Sequence, residues 1–182
     1  KIVGPVPEMI KQTLDYIRTN VIKKRIIKPK DKAESITFFN YPYQAIEEAV
    51  VNALYHRDYQ EQEPVEITIE PKKISILSYA GPDRSISLDA IHKAEHLKSR
   101  RYRNRRLGDY LKELQLSEGR ATGIPTIQDE LRKNGSEPAR IETDEDRTYF
   151  LIEIPCKEGF ENVNEPLNEA INEAINEAIN KN

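Results

Sequence analysis

The chain has 182 residues, of which 32% are charged and 37% are hydrophobic, and its formal net charge at pH 7 is −3. This length allows one domain with a buried core, and the polar composition is typical of a soluble protein. The small net charge excludes a general attraction to nucleic acid or anionic membranes, so such binding would need a local cluster of cations. The single cysteine, Cys156, excludes an intrachain disulfide and a cysteine-rich zinc site.

No apolar run approaches the ~18 residues of a membrane-spanning helix, and no signal peptide opens the chain. Together with the lone thiol, this predicts a cytoplasmic protein without a membrane partner. The chain begins at Lys1 rather than at a methionine, so we expect an excised fragment of a longer protein.

The first third of the chain alternates between helical and extended patterns. Apolar residues at helical spacing predict a helix over residues 7–22. A basic stretch, 23–32, follows and leads to a short strand over 35–39. Pro42 then opens a second helix, in the position where proline is tolerated best.

The remaining elements predict an α+β fold. Alternating apolar and polar residues predict a hairpin of two strands, over 65–70 and 73–79. Three helices follow, over 88–97, 107–116 and 124–133, and a second hairpin follows them, over 140–143 and 148–154. This order predicts a two-layer α/β sandwich in which a mixed sheet is packed by helices.

The C-terminal segment repeats a four-residue unit of asparagine, glutamate, alanine and isoleucine over residues 164–182. On a helix its isoleucines drift by about 40° per repeat, because four residues exceed the 3.6 residues of one turn. Such a helix cannot bury its apolar face alone and is marginal in water. Two interpretations stay open, a self-association helix and a low-complexity linker to a further domain.

The segment 41–59, YPYQAIEEAVVNALYHRDY, combines an apolar stripe with a row of polar residues. Read as a helix, it places Glu48, Asn52 and His56 four residues apart on one face. The apolar stripe lies on another face and would be buried. Solvated helices often show the same polar spacing, so the spacing alone does not establish a site.

Two further segments have the composition of ligand-binding loops. Residues 118–124, EGRATGI, form a small glycine-containing loop before a predicted helix, where free backbone N–H groups can bind phosphate. Residues 78–83, SYAGPD, form a tight turn directly after a strand.

Taken in order, these three segments resemble the nucleotide-binding boxes of GHKL-type ATPase domains, the class of histidine kinases, gyrase and Hsp90. More closely, NALYHRDY, SYAGPD, YRNRRLGDYL and EGRATGI resemble the C-terminal ATPase-like domain of bacterial proteins described as RecG-related helicases or transcriptional regulators. The resemblance runs from about Tyr41 to Pro155. It implies a GHKL (Bergerat)-like sandwich that binds ATP and magnesium.

The resemblance also divides the chain into three parts. Residues 1–33 look like the connector that follows an AlbA/Schlafen-like DNA-binding domain, which this sequence lacks, and 34–157 look like the GHKL-like domain. Residues 158–182 are then the linker or self-association segment. The whole protein would be a bacterial transcriptional regulator that passes a nucleotide-dependent change to DNA through flanking domains, with a homodimer as one arrangement.

Matching residue by residue, Glu48 corresponds to the catalytic carboxylate that activates water, and Asn52 to the carboxamide that ligates magnesium. Water attacking a phosphoryl group needs a positioned base, and magnesium prefers oxygen ligands. Arg57 has two interpretations, a phosphate contact or a salt bridge with Asp58. The nucleotide-binding residues that the resemblance implies besides Asn52 are His56, Arg57, Tyr79, Gly81, Asp83, Arg103, Asn104, Gly119, Arg120, Thr122 and Gly123.

Three residues depart from the family pattern. Tyr79 stands where GHKL proteins use an aspartate to read the adenine amino group, and Asp83 lies beyond the glycine. Ala80 and Ala121 replace a proline and a glycine, and the methyl group at Ala121 opposes positive φ and close backbone approach. The departures motivate an alternative, a degenerate module that binds no nucleotide and serves as a structural or dimerisation platform.

The enzymatic expectation is accordingly modest, at most a weak ATPase. A helicase motor needs a P-loop, G-x-x-x-x-G-K-[ST], and the sequence contains none.

A basic run over residues 98–106 holds six cations, with Tyr102 among them. These cations could contact the phosphates of nucleotide or DNA. The alternative is a solvated loop whose cations pair with neighbouring carboxylates.

Overall fold

A computed structural model describes residues 1–27, 35–93, 103–116 and 123–160 of the chain. The helices are α1 (Val6–Asn20), α2 (Tyr43–His56), α3 (Leu88–His92), α4 (Arg105–Glu113) and α5 (Gly123–Asn134). The strands are β1 (Lys24–Ile27), β2 (Ile36–Phe39), β3 (Glu66–Ile69), β4 (Lys73–Tyr79), β5 (Arg140–Glu142) and β6 (Tyr149–Pro155).

The main sheet has the strand order β3–β4–β6–β5, and each of its pairs is antiparallel. The two predicted hairpins, β3–β4 and β5–β6, are both present. Strand β6 lies between β4 and β5 and is antiparallel to both. All neighbouring strands of this sheet are therefore antiparallel. The expectation of a mixed sheet is therefore wrong, whereas the predicted α+β sandwich is confirmed.

The core lies between one face of this sheet and helices α1, α2 and α5. On β4, every second residue is buried, which brings Ile74, Ile76 and Ser78 to the helical side. Helix α2 packs against α1, α5 and β4. Burying one isoleucine or leucine side chain of this core contributes about 1.5–3 kcal/mol.

The basic stretch 23–32 begins as a strand, which its sequence did not predict. Strand β1 pairs antiparallel with β2 to form a separate two-stranded sheet. Asn40 fastens the base of this ribbon, because its Oδ1 accepts from the backbone N–H of Lys23 (2.6 Å) and of Tyr41 (3.0 Å). Its Nδ2 donates to the carbonyl of Val21 at 2.8 Å, so one side chain joins α1, β1 and α2.

The predicted helices α3 and α4 differ from the sequence pattern at their ends. The hydroxyl oxygen of Ser87 accepts from the backbone N–H of Ala90 at 3.2 Å and caps α3, whose predicted continuation past residue 93 lies outside the described ranges. Helix α4 starts at Arg105, two residues earlier than the apolar pattern indicates.

The repeats over 164–182 also lie outside the described ranges, and the three-part division of the chain stays a prediction. Within the helices that the structure describes, none is long and apolar enough to cross a membrane.

Candidate functional site

A cavity of about 370 Å³ lies between helices α2 and α5 and strands β4 and β6. This volume falls within the range of roughly 300–1,000 Å³ that is usual for small-molecule sites. Its walls are mainly apolar and include Ala49, Ala53, Ile76, Ile127, Phe150 and Ile152. Its polar lining residues are Asn52, His56, Ser78, Asp83 and Arg103. An apolar slot with polar groups around it is suited to a flat, partly polar molecule.

The polar row on α2 forms a hydrogen-bonded pair beside this cavity. The Nδ2 of Asn52 donates to Oε1 of Glu48 at 2.9 Å, one helical turn away. This bond fixes the amide plane of Asn52, whose Oδ1 is the end directed away from Glu48. An amide oxygen next to a carboxylate is a suitable donor set for a hard cation.

The first residue of α5, Gly123, lies directly against that pair. A Cβ at this position would overlap the amide of Asn52 and come to 3.1 Å from Oε1 of Glu48. Glycine thus allows the helix to begin at the polar end of the cavity. The first N–H groups of a helix have no partner within it and attract anions, and the first turn of α5 has no acidic residue.

The turn after β4 supplies a second polar group. Ser78 is buried and lines the cavity, whereas Tyr79, the next residue of the strand, points to the opposite face and is not among the lining residues. Asp83 does line the cavity, and its Oδ1 accepts from the N–H of Ser85 at 2.9 Å. The carboxylate at this turn is therefore Asp83, and Tyr79 does not take its place.

Gly81 lines the cavity too, but its neighbours explain why a glycine stands there. Its N–H donates to the carbonyl of Arg147 at 2.8 Å. A Cβ at this position would lie 2.7 Å from the carbonyl oxygen of Tyr149 and 2.8 Å from the Arg147 backbone. The turn can press against the β5–β6 loop only without a side chain.

Asn104 and Arg103 bind the C-terminal end of α2. The Nδ2 of Asn104 donates to the carbonyls of Tyr55 (2.8 Å) and Arg57 (2.7 Å). Nη1 of Arg103 donates to the carbonyl of His56 at 2.7 Å, and its Nε lies 3.7 Å from Oδ2 of Asp58. Terminal carbonyls of a helix need such partners. Asn104 therefore serves as a helix cap, while Arg103 both caps the helix and lines the cavity.

We expect the Asn104→Ala variant to be less stable than the wild type. The substitution removes donors from two carbonyls, which costs about 1–3 kcal/mol and lowers Tm by about 2–12 °C in a chain of this size. Thermal denaturation followed by circular dichroism measures the change. Arg105→Ala, at the exposed next position, is the control and should behave as wild type. Equal Tm values for both variants would contradict the capping role.

Arg57 points away from the cavity. Its Nη2 donates to the carbonyls of Glu61 (3.2 Å) and Glu63 (2.8 Å), and its guanidinium lies 5.2 Å from the ring centre of Tyr59. The structure thus has Arg57 holding the loop after α2 rather than forming a salt bridge with Asp58, and the phosphate contact stays a prediction. The partner of Asp58 is Arg103.

His56 lines the cavity at the end of α2, where the residue as a whole is exposed but its imidazole is packed among protein atoms. Desolvation of the imidazole by this packing, and secondarily the cation of Arg103, lower its pKa from 6.5 to about 4. The imidazole is therefore neutral at pH 7, where it can donate one hydrogen bond and accept another.

We predict that NMR titration of the His56 imidazole gives a pKa well below 6.5, and that Arg103→Gln raises it. The sign follows from Coulomb repulsion, because removing a cation favours protonation. Since the folded pKa is below the unfolded one, His56 lowers the free energy of unfolding as the pH falls from about 6.5 to about 4. Arg105→Gln is the control, and an Arg103→Gln variant with an unchanged pKa would contradict the assignment.

The remaining sequence-predicted residues fall into two groups. Gly119, Arg120 and Thr122 lie outside the described ranges, as do Ala121 and the basic residues 98–102. Arg105 and Arg106 are described and exposed. Over the ranges that the structure covers, His, Cys, Asp and Glu side chains form no group of three that could hold a metal ion.

Sequence reasoning missed several residues that line the cavity. The β6 residues Phe150 and Ile152 line it although no motif marks them, and Ser78 lines it although no role was expected for it within the SYAGPD segment. Strand alternation could have indicated them, because Ser78 shares its face with Ile74 and Ile76.

Comparison with known proteins places the chain in a family. Residues 62–153 match the family described as "Putative ATP-dependent DNA helicase recG C-terminal". Among solved structures, the chain is similar to the DIP2311 protein from Corynebacterium diphtheriae, with a TM-score of 0.65 and 21% identity. That likeness covers 80% of this chain and 29% of the other, and it shows the fold alone. No protein with a curated description matches the chain.

The family match includes the turn after β4, helices α4 and α5, and the sheet, while α2 precedes it. It confirms the RecG-related resemblance seen in the sequence motifs. Because the match spans just over half of the chain, the protein belongs to the family of RecG C-terminal domains, an ATPase-type domain.

Proposed function

We propose that the cavity binds ATP together with magnesium, and that the chain is the ATP-binding module of a multidomain bacterial transcriptional regulator. The observation that carries this proposal is the Glu48–Asn52 hydrogen bond beneath Gly123. It brings a carboxylate, an amide oxygen and a helix N-terminus together at one end of an apolar cavity.

The residues present fit a nucleotide. The apolar walls from α2, β4 and β6 would enclose the base, and the carboxylate of Asp83 would accept a hydrogen bond from its amino group. The first turn of α5 would bind phosphate oxygens, and Oδ1 of Asn52 would ligate magnesium. Arg103 and His56 would lie near the ribose or the phosphates, the first as a cation and the second as a neutral imidazole.

The chemistry of hydrolysis would depend on Glu48. Magnesium, when bound, neutralises charge on the phosphates. The Glu48 carboxylate, oriented by Asn52, would accept a proton from the attacking water.

The regulatory role rests on where the site meets the rest of the chain. Arg103 and Asn104 tie the end of the site helix α2 to the segment that begins α4. A nucleotide that contacts Arg103 would act on this link. We propose that the resulting change alters a homodimer or the flanking domains through which the full-length protein contacts DNA.

Isothermal titration calorimetry of the chain with ATP, in the presence and absence of magnesium, tests the proposal. We expect binding that strengthens with magnesium and is weaker for GTP, because guanine offers a carbonyl where adenine offers an amino group to Asp83. No binding at millimolar ATP would contradict the proposal and favour the degenerate module that acts as a structural or dimerisation platform.

A further inference from the structure

A second cavity, of about 280 Å³, lies on another part of the molecule and shares no lining residue with the first. It is bounded by the end of α1, the link from β2 to α2, the β3–β4 turn and the residues after β6. The share of one water molecule in liquid is about 30 Å³. The cavity is larger than a single bridging water needs.

A buried hydroxyl group at this cavity has no nitrogen or oxygen partner among the described residues. It belongs to Tyr41, which lines the cavity and is 2% exposed, and the thiol of Cys156 lies beside it. The adjacent thiol of Cys156 is only a weak acceptor. Burial, and secondarily Cys156 and Glu70, raises the pKa of the Tyr41 hydroxyl, so it stays protonated and able to donate.

Two residues of opposite charge line the same cavity. Lys23 lies at the end of α1 and Glu70 in the β3–β4 turn. The carboxylate of Glu70 is 3.6 Å from Nζ of Lys73, which makes a shorter contact with Glu153. The apolar residues that line the cavity include Val21, Ile69 and Phe160.

We propose that this second cavity binds a small zwitterion with an apolar side chain, which is the chemistry of a free amino acid. Lys23 pairs with its carboxylate, and Glu70 pairs with its ammonium group. The Tyr41 hydroxyl donates to the same carboxylate, and the apolar wall receives the side chain. Opposite charges on one cavity favour a ligand that carries both charges over a simple anion or cation.

A ligand in this cavity would stabilise the contact region between α1, β1 and α2. Tyr41 follows Asn40, the residue that joins α1, β1 and α2, and both residues line the cavity. A ligand here contacts α1 and the sheet at once. It binds the folded state only, so it raises the free energy of unfolding.

A thermal-shift screen of the full chain against the twenty amino acids, each at millimolar concentration, tests the proposal. At ten times its Kd, the ligand should raise Tm by about 3–6 °C. For the best amino acid, calorimetry should show binding about 3- to 10-fold weaker in Tyr41→Phe and about 10- to 100-fold weaker in Glu70→Gln. Glu66→Gln, an exposed glutamate of β3 outside the cavity, is the matched control and should bind as wild type.

The Tyr41→Phe variant is also expected to fold as the wild type does, so weaker binding in it cannot be attributed to misfolding. It removes an unpaired buried hydroxyl, so its Tm without ligand should not fall below that of the wild type. The proposal is overturned if no amino acid raises Tm, or if the rise is the same in wild type, Tyr41→Phe and Glu70→Gln. In either case, water alone accounts for the Tyr41 hydroxyl.

Discussion

Replacing Gly123 with valine is expected to weaken ATP binding by more than tenfold and to lower Tm. The new side chain begins where a Cβ already overlaps the Asn52 amide, so it separates α5 from α2 or breaks the Glu48–Asn52 hydrogen bond. Overpacking of this kind costs about 1–3 kcal/mol, which corresponds to a fall in Tm of about 2–12 °C. Binding should weaken by more than the tenfold that about 1.4 kcal/mol represents.

Calorimetry and thermal denaturation measure the two effects of Gly123→Val separately. Thr126→Val, in the same turn of α5 but outside the cavity lining, is the matched control. We expect it to retain both affinity and Tm. A Gly123→Val variant that binds ATP as tightly as wild type would show that the polar end of the cavity does not hold the nucleotide.

Replacing Glu48 with glutamine is expected to separate binding from hydrolysis. The amide oxygen of glutamine can still accept from Nδ2 of Asn52, so the magnesium ligand keeps its orientation. The amide cannot accept a proton from water, and loss of a general base typically lowers turnover by about 10²–10⁴-fold. Glu48→Ala should also weaken binding, because it leaves the Asn52 amide without that acceptor.

Phosphate release under ATP saturation gives the turnover, and calorimetry gives the affinity. Glu47→Gln, at the adjacent position where the carboxylate faces Tyr43, is the control and should hydrolyse ATP as wild type. Turnover in Glu48→Gln equal to that of wild type would exclude Glu48 as the base. A wild-type protein that binds ATP without any turnover would contradict the catalytic assignment as well.

The sequence predicted the parts of the fold that depend on periodicity. Helix α2, the β3–β4 hairpin and the β5–β6 hairpin follow from apolar spacing, and the structure contains all three. Strand β1 was missed because its lysine and arginine residues mask a weak pattern, and because its pairing with β2 depends on the long-range bonds of Asn40. The position of β6 between β4 and β5 also depends on long-range strand pairing, so local periodicity did not predict it.

The site was predictable where its residues share one helix. The spacing of Glu48, Asn52 and His56 placed them on one face, and the structure brings Asn52 and His56 to the cavity with Glu48 bonded to Asn52. The turn after β4 was harder, because strand alternation turns Tyr79 away and the following turn brings Asp83 back. The directions of these two side chains depend on local hydrogen bonds, and a comparison of sequence motifs does not include those bonds.

The roles of arginine and asparagine at the end of α2 could not be read from the sequence for the same reason. Asn104 matches a family motif, yet the carbonyls of Tyr55 in α2 and of Arg57 just after it accept its hydrogen bonds. Arg57 lies in the motif after α2, yet the loop carbonyls of Glu61 and Glu63 take its guanidinium. The motifs identify the residue types at these positions, whereas the structure shows which backbone carbonyls accept their hydrogen bonds.

The most direct test of the central claim is an amide NMR spectrum of the wild-type chain titrated with magnesium and a non-hydrolysable ATP analogue. We predict shifts that cluster on the amides of Asn52, His56, Gly81 and Gly123, around the cavity between α2 and β4–β6. Shifts confined to the surroundings of Tyr41 and Glu70, or no shifts at all, would contradict the assignment of this cavity as the nucleotide site.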